Sequence, residues 1–348
     1  MIEQRIDVNA TADPVSFRWG IVGLRNVGTA HMAAIMEVHH RMGGFSSRNP
    51  TTRSGDTTAI KFNMDPDLGR LFSVEGMCVV DDYHALIAED CDGFIVCVPT
   101  EMHMQVAIEV AKKGGNCFLE KPMALTSEQA IAIREAFSSS KGQLVVGHVL
   151  PYFPAYDNLL QLVRQHGGIK SIAELRMERW VPWARTDDKA DTLGRGGFFK
   201  DLAAHDAHFL SCIGQPNAVR VFQRKNRYEQ VQYAQAKVYF EGSDAKVTFD
   251  VGAKPGFTDD FRHAYTVKFK DGSTSIFDGS TVLHDGIVQT IDPFSIPKIF
   301  GRELQVAADY FWAKRPDADV LAPDNAIAAL KIIEAAERSA PIKATMAV

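Results

Sequence analysis

Phe17-Arg18-Trp19-Gly20-Ile21-Val22 runs directly into Gly23-Leu24-Arg25-Asn26-Val27-Gly28, and residues 29–38 continue with helical character. A short strand, a glycine turn and a helix in that order make the first half of a βαβ unit. A turn of this kind that holds a dinucleotide needs glycine three times: for the tight turn, for close approach of backbone to pyrophosphate, and for packing of helix on strand. Gly23 and Gly28 fill the first and third positions, and Arg25 occupies the second. The helix N-terminus that follows offers free N–H groups and partial positive charge to a diphosphate. Gly23, Arg25, Asn26, Val27 and Gly28 are therefore read as a cofactor cradle. The Arg25 side chain either lies along the ribose or phosphate or stands as a solvated charge.

Beyond the turn, strand-like runs at 58–62, 77–80, 93–98, 116–119 and 144–147 alternate with helical segments. These segments fall at 83–88, where Met102, Val106 and Val110 recur every four residues, and after Thr126, which opens a Thr-x-x-Gln capping box. Such alternation predicts an α/β Rossmann domain with a doubly wound parallel sheet. From Ser171 the pattern changes to period-two runs at 172–177, 233–240, 245–250 and 265–269, joined by turn pairs such as Asp271-Gly272. That predicts an α+β domain with a large, mostly antiparallel, open-faced sheet. Two late helices, near 301–312 and 324–339, close the chain. The boundary is expected within 148–154, giving a dinucleotide-binding domain over 1–150, with a leader arm over 1–16, and a domain for substrate binding and oligomerisation over 151–348. No internal repeat or low-complexity segment stands out.

At 348 residues the chain suits two domains, and 46% hydrophobic with 23% charged residues gives each enough apolar surface to bury. The 38 Lys plus Arg against 43 Asp plus Glu suggest no polyanionic partner, so nucleic acid is not expected. No stretch reaches the roughly 18 apolar residues of a membrane span, and residues 1–16 lack the basic and apolar regions of a secretion signal. A soluble, cytoplasmic protein without membrane partners is expected. Cys78, Cys91, Cys97, Cys117 and Cys212 have no CxxC spacing and read as reduced, buried thiols rather than disulfides or a zinc site.

Cofactor choice normally rests on an acidic residue closing the second strand, where a carboxylate accepts the ribose hydroxyls and repels a 2′-phosphate. Asp65, just after the run 60–63, is the candidate, 37 residues after Gly28 where the fingerprint expects roughly 20. The excess reads as an insertion over 43–56. It is either a surface excursion or, through Arg48 and Arg53, a source of cations for a 2′-phosphate. The cofactor is thus NAD or NADP, with Asp65 tilting the balance slightly to NAD.

Glu120-Lys121-Pro122 ends the strand at 116–119 and so delivers Lys121 to the carboxyl edge of the sheet, where open α/β folds bind ligands. An ammonium there can hydrogen-bond a reacting oxygen and offset its developing charge. Further on, Gly196-Gly197-Phe198-Phe199-Lys200-Asp201-Leu202-Ala203-Ala204-His205 opens a helix. Asp201, His205 and His208 fall at i, i+4 and i+7 on one face of it. The same spacing suits zinc or manganese, but no fourth ligand is evident nearby and no metal is expected. A plainer alternative is an N-cap aspartate with packed histidines. Between 176 and 197 stand Arg179, Trp180, Trp183, Arg185 and Arg195; aromatics with polar forks suit sugar rings or carboxylates. Trp183 and Arg185 are expected substrate contacts, while Arg176 and Arg179 could instead lie on the solvent face of a strand.

The order and spacing of the glycine turn, Glu120-Lys121-Pro122 and the stretch from Gly196 to His205 resemble the glucose-fructose oxidoreductase / inositol dehydrogenase / MocA family of nicotinamide-dependent oxidoreductases, over nearly the whole chain. The resemblance implies that Pro99, Thr100 and His103 form a turn beneath the nicotinamide half of the cofactor, that Glu120, Lys121 and Pro122 adjoin it, and that the Lys-Pro bond is cis. It also implies that His205 exchanges the substrate hydroxyl proton and that Asp201 contacts substrate and Lys121. Histidine suits that exchange because its ordinary pKa is about 6.5. His208, read as a substrate contact, stands where many members carry Asp. Lys121, Asp201 and His205 are thus the expected catalytic set. The implied substrate is a small carbohydrate or cyclic polyol oxidised or reduced at a secondary alcohol, and the implied assembly is a homodimer or homotetramer. Two alternatives stay open: a dinucleotide-binding sensor without turnover, and a glycoside-cleaving enzyme that uses tightly held NAD transiently.

Overall fold

The computed structural model describes residues 5–13, 15–60, 65, 67–181, 198–225, 231–253, 261–289, 295–315, 317–342 and 344–348. These form two compact units, each gathered from separate stretches: Met1–Met123, Ile131–Tyr152 and Phe294–Pro323 in the first, and Ala124–Ala130, Phe153–Pro293 and Asp324–Val348 in the second.

The chain enters the first unit through β1 (Arg18–Val22), α1 (Asn26–Glu37), β2 (Arg41–Ser46), α2 (Pro50–Arg53), β3 (Cys78–Val80) and α3 (Tyr83–Ala88). It continues through β4 (Gly93–Val96), α4 (Thr100–Lys113), β5 (Asn116–Glu120), α5 (Ser127–Ser138), whose first turn belongs to the second unit, and β6 (Leu144–Gly147). All strand pairs are parallel, in the order β3-β2-β1-β4-β5-β6, which is the doubly wound arrangement. Both faces of this sheet are covered, which is why its strands read as apolar runs: Ile21, Val22, Phe94, Ile95, Val96, Phe118, Leu119, Val145 and Val146 are fully buried. Half of the expected capping box forms: Gln129 N donates to Thr126 Oγ1 at 3.2 Å, whereas Gln129 Oε1 accepts from Leu125 N at 3.1 Å, one residue before the cap.

One expectation fails here. The second strand is not the run 58–62. Of the described residues there, 58–60 belong to no strand, and Ile60 N bonds Thr57 O in a turn. β2 lies instead at Arg41–Ser46, partly inside the stretch expected to be an insertion. The glycine pair Gly43-Gly44 hid it, since glycine weakens a strand pattern. Its purpose is close packing: a Cβ on Gly44 would collide with the Cys78 carbonyl of β3.

The second unit contains α6 (Pro154–Gln165), β7 (Ile172–Val181), α7 (Phe198–Ile213), β8 (Pro216–Lys225), β9 (Val231–Phe240) and β10 (Lys246–Ala253). β11 (Arg262–Phe269), β12 (Thr274–Phe277), β13 (Val282–His284) and β14 (Ile287–Gln289) follow. After them come α8 (Ile296–Phe311), which belongs to the first unit, and α9 (Pro323–Ile342) and β15 (Met346–Ala347), which belong to the second. The sheet order is β14-β13-β12-β11-β7-β10-β9-β8-β15, antiparallel throughout except for the parallel pair β7–β10. Along β7, Leu175, Met177 and Arg179 are buried while Glu174, Arg176 and Glu178 point to the other face, where Glu174 pairs with Lys268 at 2.8 Å. All five cysteines are free thiols, with Cys117 buried and the others half-buried.

Arg179 is therefore not on a solvent face. Its guanidinium grips Asp206 of α7 with two bonds, Nε to Oδ2 at 2.9 Å and Nη2 to Oδ1 at 3.2 Å, and Nη2 donates to His263 Nε2 at 2.8 Å. Tyr265 Oη donates to Asp206 Oδ1 at 2.5 Å. Burial, together with the Arg179 charge, holds His263 well below the ordinary histidine pKa, so its neutral ring accepts the hydrogen bond from the guanidinium. The pair fixes the rotation of α7 on β7 and β11. Asp206→Ala should cost about 3–5 kcal/mol in urea unfolding, because it strands a buried guanidinium. The double variant Arg179→Met/Asp206→Leu should recover most of that loss. A single-variant cost below about 1 kcal/mol would show that the pair is no anchor.

Candidate functional site

In the first unit, β1 ends at Val22, the chain turns at Gly23, whose φ of +97° favours glycine, and α1 begins at Asn26. A Cβ on Gly28 would stand 2.6 Å from the Gly23 carbonyl oxygen, so α1 can start this close to the strand only without a side chain there. Arg25 is the N-cap in extended conformation. It makes no side-chain cap, its side chain is exposed, and no acidic residue stands in the first turn. The first-turn N–H groups have no partners within the helix, and the positive end of the helix dipole lies with them. Asn26 is exposed and Val27 half-buried beside that end. These features fit a dinucleotide diphosphate.

Asp65 does not close the second strand. It lies in the long excursion between β2 and β3, half-buried, with its Oδ1 accepting from Asp67 N at 3.2 Å. The residues that follow β2 are Ser47 and Arg48.

Pro99 is the N-cap of α4, and Thr100, its first residue, is buried. His103 is 1% exposed, and both ring nitrogens face carbonyls: Nδ1 lies 3.0 Å from Pro122 O and Nε2 2.9 Å from Val98 O. The ring thus stands between the turn after β4 and the turn after β5, with its single N–H in the neutral form shared between two carbonyls. Burial lowers its pKa, against the opposing pull of those carbonyls.

Lys121 follows β5 and is half-buried, and its peptide bond to the buried Pro122 is cis. Glu120 beside it is buried; its Oε1 meets His31 Nε2 of α1 at 2.7 Å, and its Oε2 accepts from Lys121 N at 3.1 Å. One carboxylate thus links the helix of the cradle to the lysine turn. His31 was not singled out in the sequence, although it stands three residues after Gly28 in the helix that the glycine turn opens.

In the second unit, Asp201 and His205 are half-buried on α7, whereas His208 one turn on is 1% exposed, with Cys212 Sγ 3.8 Å from its Nε2. The three share a helix face, and His208 is the most buried of them. Lys200, also unforeseen, is buried and donates to Leu125 O at 2.6 Å with Glu337 at 3.6 Å. Trp183, Arg185, Arg195, Gly196 and Gly197 lie outside the described residues. Among the described residues no three His, Cys, Asp or Glu side chains are grouped to hold a metal ion, and no helix is long and apolar enough to cross a membrane.

Residues 17–148 match the model of the Gfo/Idh/MocA family, described as an oxidoreductase family with an NAD-binding Rossmann fold. Inositol 2-dehydrogenase of Rhizobium meliloti (strain 1021) is 30% identical over 127 residues, 35% of this chain and 37% of that protein. The chain spans less than half the length of the first curated relatives it matches. Two solved structures share the fold over almost all of the chain. The WlbA dehydrogenase from Bordetella pertussis, in complex with NADH and UDP-GlcNAcA, superposes with a TM-score of 0.74 at 16% identity, over 96% of this chain and 99% of that one. Biliverdin reductase from Synechocystis sp. PCC 6803, in complex with biliverdin and NADP+, gives 0.69 at 18% identity, over 93% and 99%.

Behind the lysine turn, Glu303 of α8 is fully buried, and neither carboxylate oxygen has a hydrogen-bond partner among the described residues. Desolvation, reinforced by the Glu120 charge, pushes its pKa well above the ordinary 4.5. The folded protein therefore keeps this proton while the unfolded chain releases it. Its contribution to stability is fully present below pH 4.5 and is lost as pH rises towards the elevated folded value. Glu303→Gln removes the linkage. Its melting temperature should match wild type near pH 4.5 and exceed it increasingly towards pH 8. A constant difference across that range would mean that Glu303 is ionised in the fold.

Proposed function

We propose, for a chain whose residues 17–148 match the model of the Gfo/Idh/MocA oxidoreductase family with its NAD-binding Rossmann fold, that it oxidises or reduces a secondary alcohol of a sugar, a sugar derivative or a cyclic polyol. The observation that carries this is the linkage Glu120 makes: the glycine cradle and Lys121 are joined through one buried carboxylate at the edge of the parallel sheet. The inositol dehydrogenase relative and the fold shared with an enzyme that binds a nucleotide sugar acid support the substrate class.

A dinucleotide bound in the cradle supplies the hydride acceptor or donor. Lys121 holds the substrate oxygen through its ammonium and offsets the negative charge that grows there. His205 takes the hydroxyl proton during oxidation and returns it during reduction. Asp201, one helical turn before His205, orients the substrate hydroxyls and the histidine. The buried grip of Arg179 on Asp206 sets how α7 presents both. Phe222, Tyr239 and Ile276 are 61%, 42% and 41% exposed on the outer face of the second sheet, which supports a homodimer or homotetramer. Sedimentation velocity on the full chain checks this, and a monomer at micromolar concentration sets it aside.

The test of the function is an absorbance screen at the reduced-nicotinamide band across sugars, inositols and their oxidised forms, with both dinucleotides. Against the best substrate, Lys121→Ala should lower turnover about 10²-fold to 10³-fold, and His205→Asn about 10²-fold to 10⁴-fold, with cofactor affinity little changed. EDTA should have no effect. Full activity in either variant removes that residue from the chemistry. Loss of activity on chelation, restored by a divalent ion, would turn Asp201, His205 and His208 into metal ligands.

A further inference from the structure

The corrected position of the second strand bears directly on cofactor choice. β2 pairs with β1 so that Phe45 stands beside Ile21 and Ser46 beside Val22. The end of β2 is bonded to the glycine turn itself: Gly23 N and Leu24 N donate to Ser46 O at 3.2 and 3.0 Å. In a doubly wound fold, the residues that leave the second strand at this point meet the adenosine ribose, and their charge decides whether a 2′-hydroxyl or a 2′-phosphate is accepted.

Here that segment is Ser47-Arg48-Asn49. Ser47 is buried and held on three sides. Its N donates to Val80 O of β3 at 3.0 Å, its Oγ accepts from Asn49 N at 3.2 Å, and its carbonyl accepts from Arg53 Nη1 at 2.8 Å. Arg48 next to it is exposed, and its guanidinium has no hydrogen bond or ion pair among the described residues. No Asp or Glu occurs between Glu37 and Asp56. Asp56 spends its carboxylate on Thr58, accepting from N at 2.9 Å and Oγ1 at 2.7 Å. The acidic pair Asp81-Asp82 follows the next strand out, and Asp82 caps α3 through His84 N at 3.1 Å. The position that would need a carboxylate for NAD therefore holds a hydroxyl and two guanidinium groups.

We propose that this chain selects NADP, with Arg48 receiving the 2′-phosphate and Arg53 fixing the turn and adding positive charge. This rests on the reading of the first unit as a dinucleotide site. A guanidinium forks a phosphate monoester with two parallel charge-assisted bonds, and the monoester carries close to two negative charges near neutral pH. The adenosine ribose of NAD offers only neutral hydroxyls there, which gain little from an arginine.

Titration calorimetry on the full chain with NADP+, NAD+ and adenosine 2′,5′-bisphosphate separates the possibilities without turnover. NADP+ should bind at least about ten-fold tighter than NAD+, and the bisphosphate should bind although it lacks nicotinamide. Arg48→Ala should weaken NADP+ and the bisphosphate about ten-fold or more while leaving NAD+ unchanged, and raising salt should weaken NADP+ more than NAD+. Gly28→Asp should lose both dinucleotides. Equal or tighter binding of NAD+ by wild type overturns the NADP assignment and leaves the dinucleotide site standing. Equal losses for both dinucleotides in Arg48→Ala overturn the role of Arg48. Failure of wild type to bind either one overturns both readings.

Discussion

The first unit depends on the missing side chain at Gly28. Because nothing stands between that Cα and the Gly23 carbonyl, α1 starts directly off β1 and its N-terminus opens at the carboxyl edge of the sheet. The direction of α1 then brings His31 down onto Phe118 of β5 and Phe300 of α8, with ring centroids 5.1 Å away in each case. From there His31 reaches Glu120. A larger residue at 28 would tilt the helix and break the link between cradle and lysine turn along with the cradle itself.

Buried charge plays two different parts in the two units. Arg179 and Asp206 satisfy one another almost completely, with His263 and Tyr265 taking the remaining bonds, so that network works as a lock with one geometry. In the first unit, the buried carboxyl of Glu120 meets His31 of α1, while that of Glu303 has no hydrogen-bond partner among the described residues. Two carboxylates so deeply placed cannot both be charged at low cost. The first unit thus stores a proton where the second stores an ion pair.

What the sequence disclosed depended on how local the cause was. The glycine turn, the Lys121 strand end and the face of α7 are written within a dozen residues each, and the alternation of strand and helix between 77 and 147 is equally local. The second strand was lost because Gly43 and Gly44 answer to Cys78, a neighbour distant in sequence. That loss carried Asp65 into a role its position does not allow. Arg179 looked like a surface residue because its partner lies 27 residues away on a helix. The carbonyls that face His103 come from two different turns, so its burial between them was not legible locally. Glu303 gave no signal at all, since a single glutamate on an amphipathic helix ordinarily faces water.

The discontinuity of the two units has a consequence for how the chain is made. α8 packs on α1, and Leu304, Ala307 and Ala308 belong to the same core as Trp19 and Ile21. The central strand β7 must likewise wait for β10 and β11 before either of its edges is paired. On the ribosome, the parallel sheet is translated early but keeps an apolar flank bare until some 300 residues have been made. Completion of the first core is thus a late, non-local event, set by the emergence of α8 rather than by the order in which the parallel strands are made.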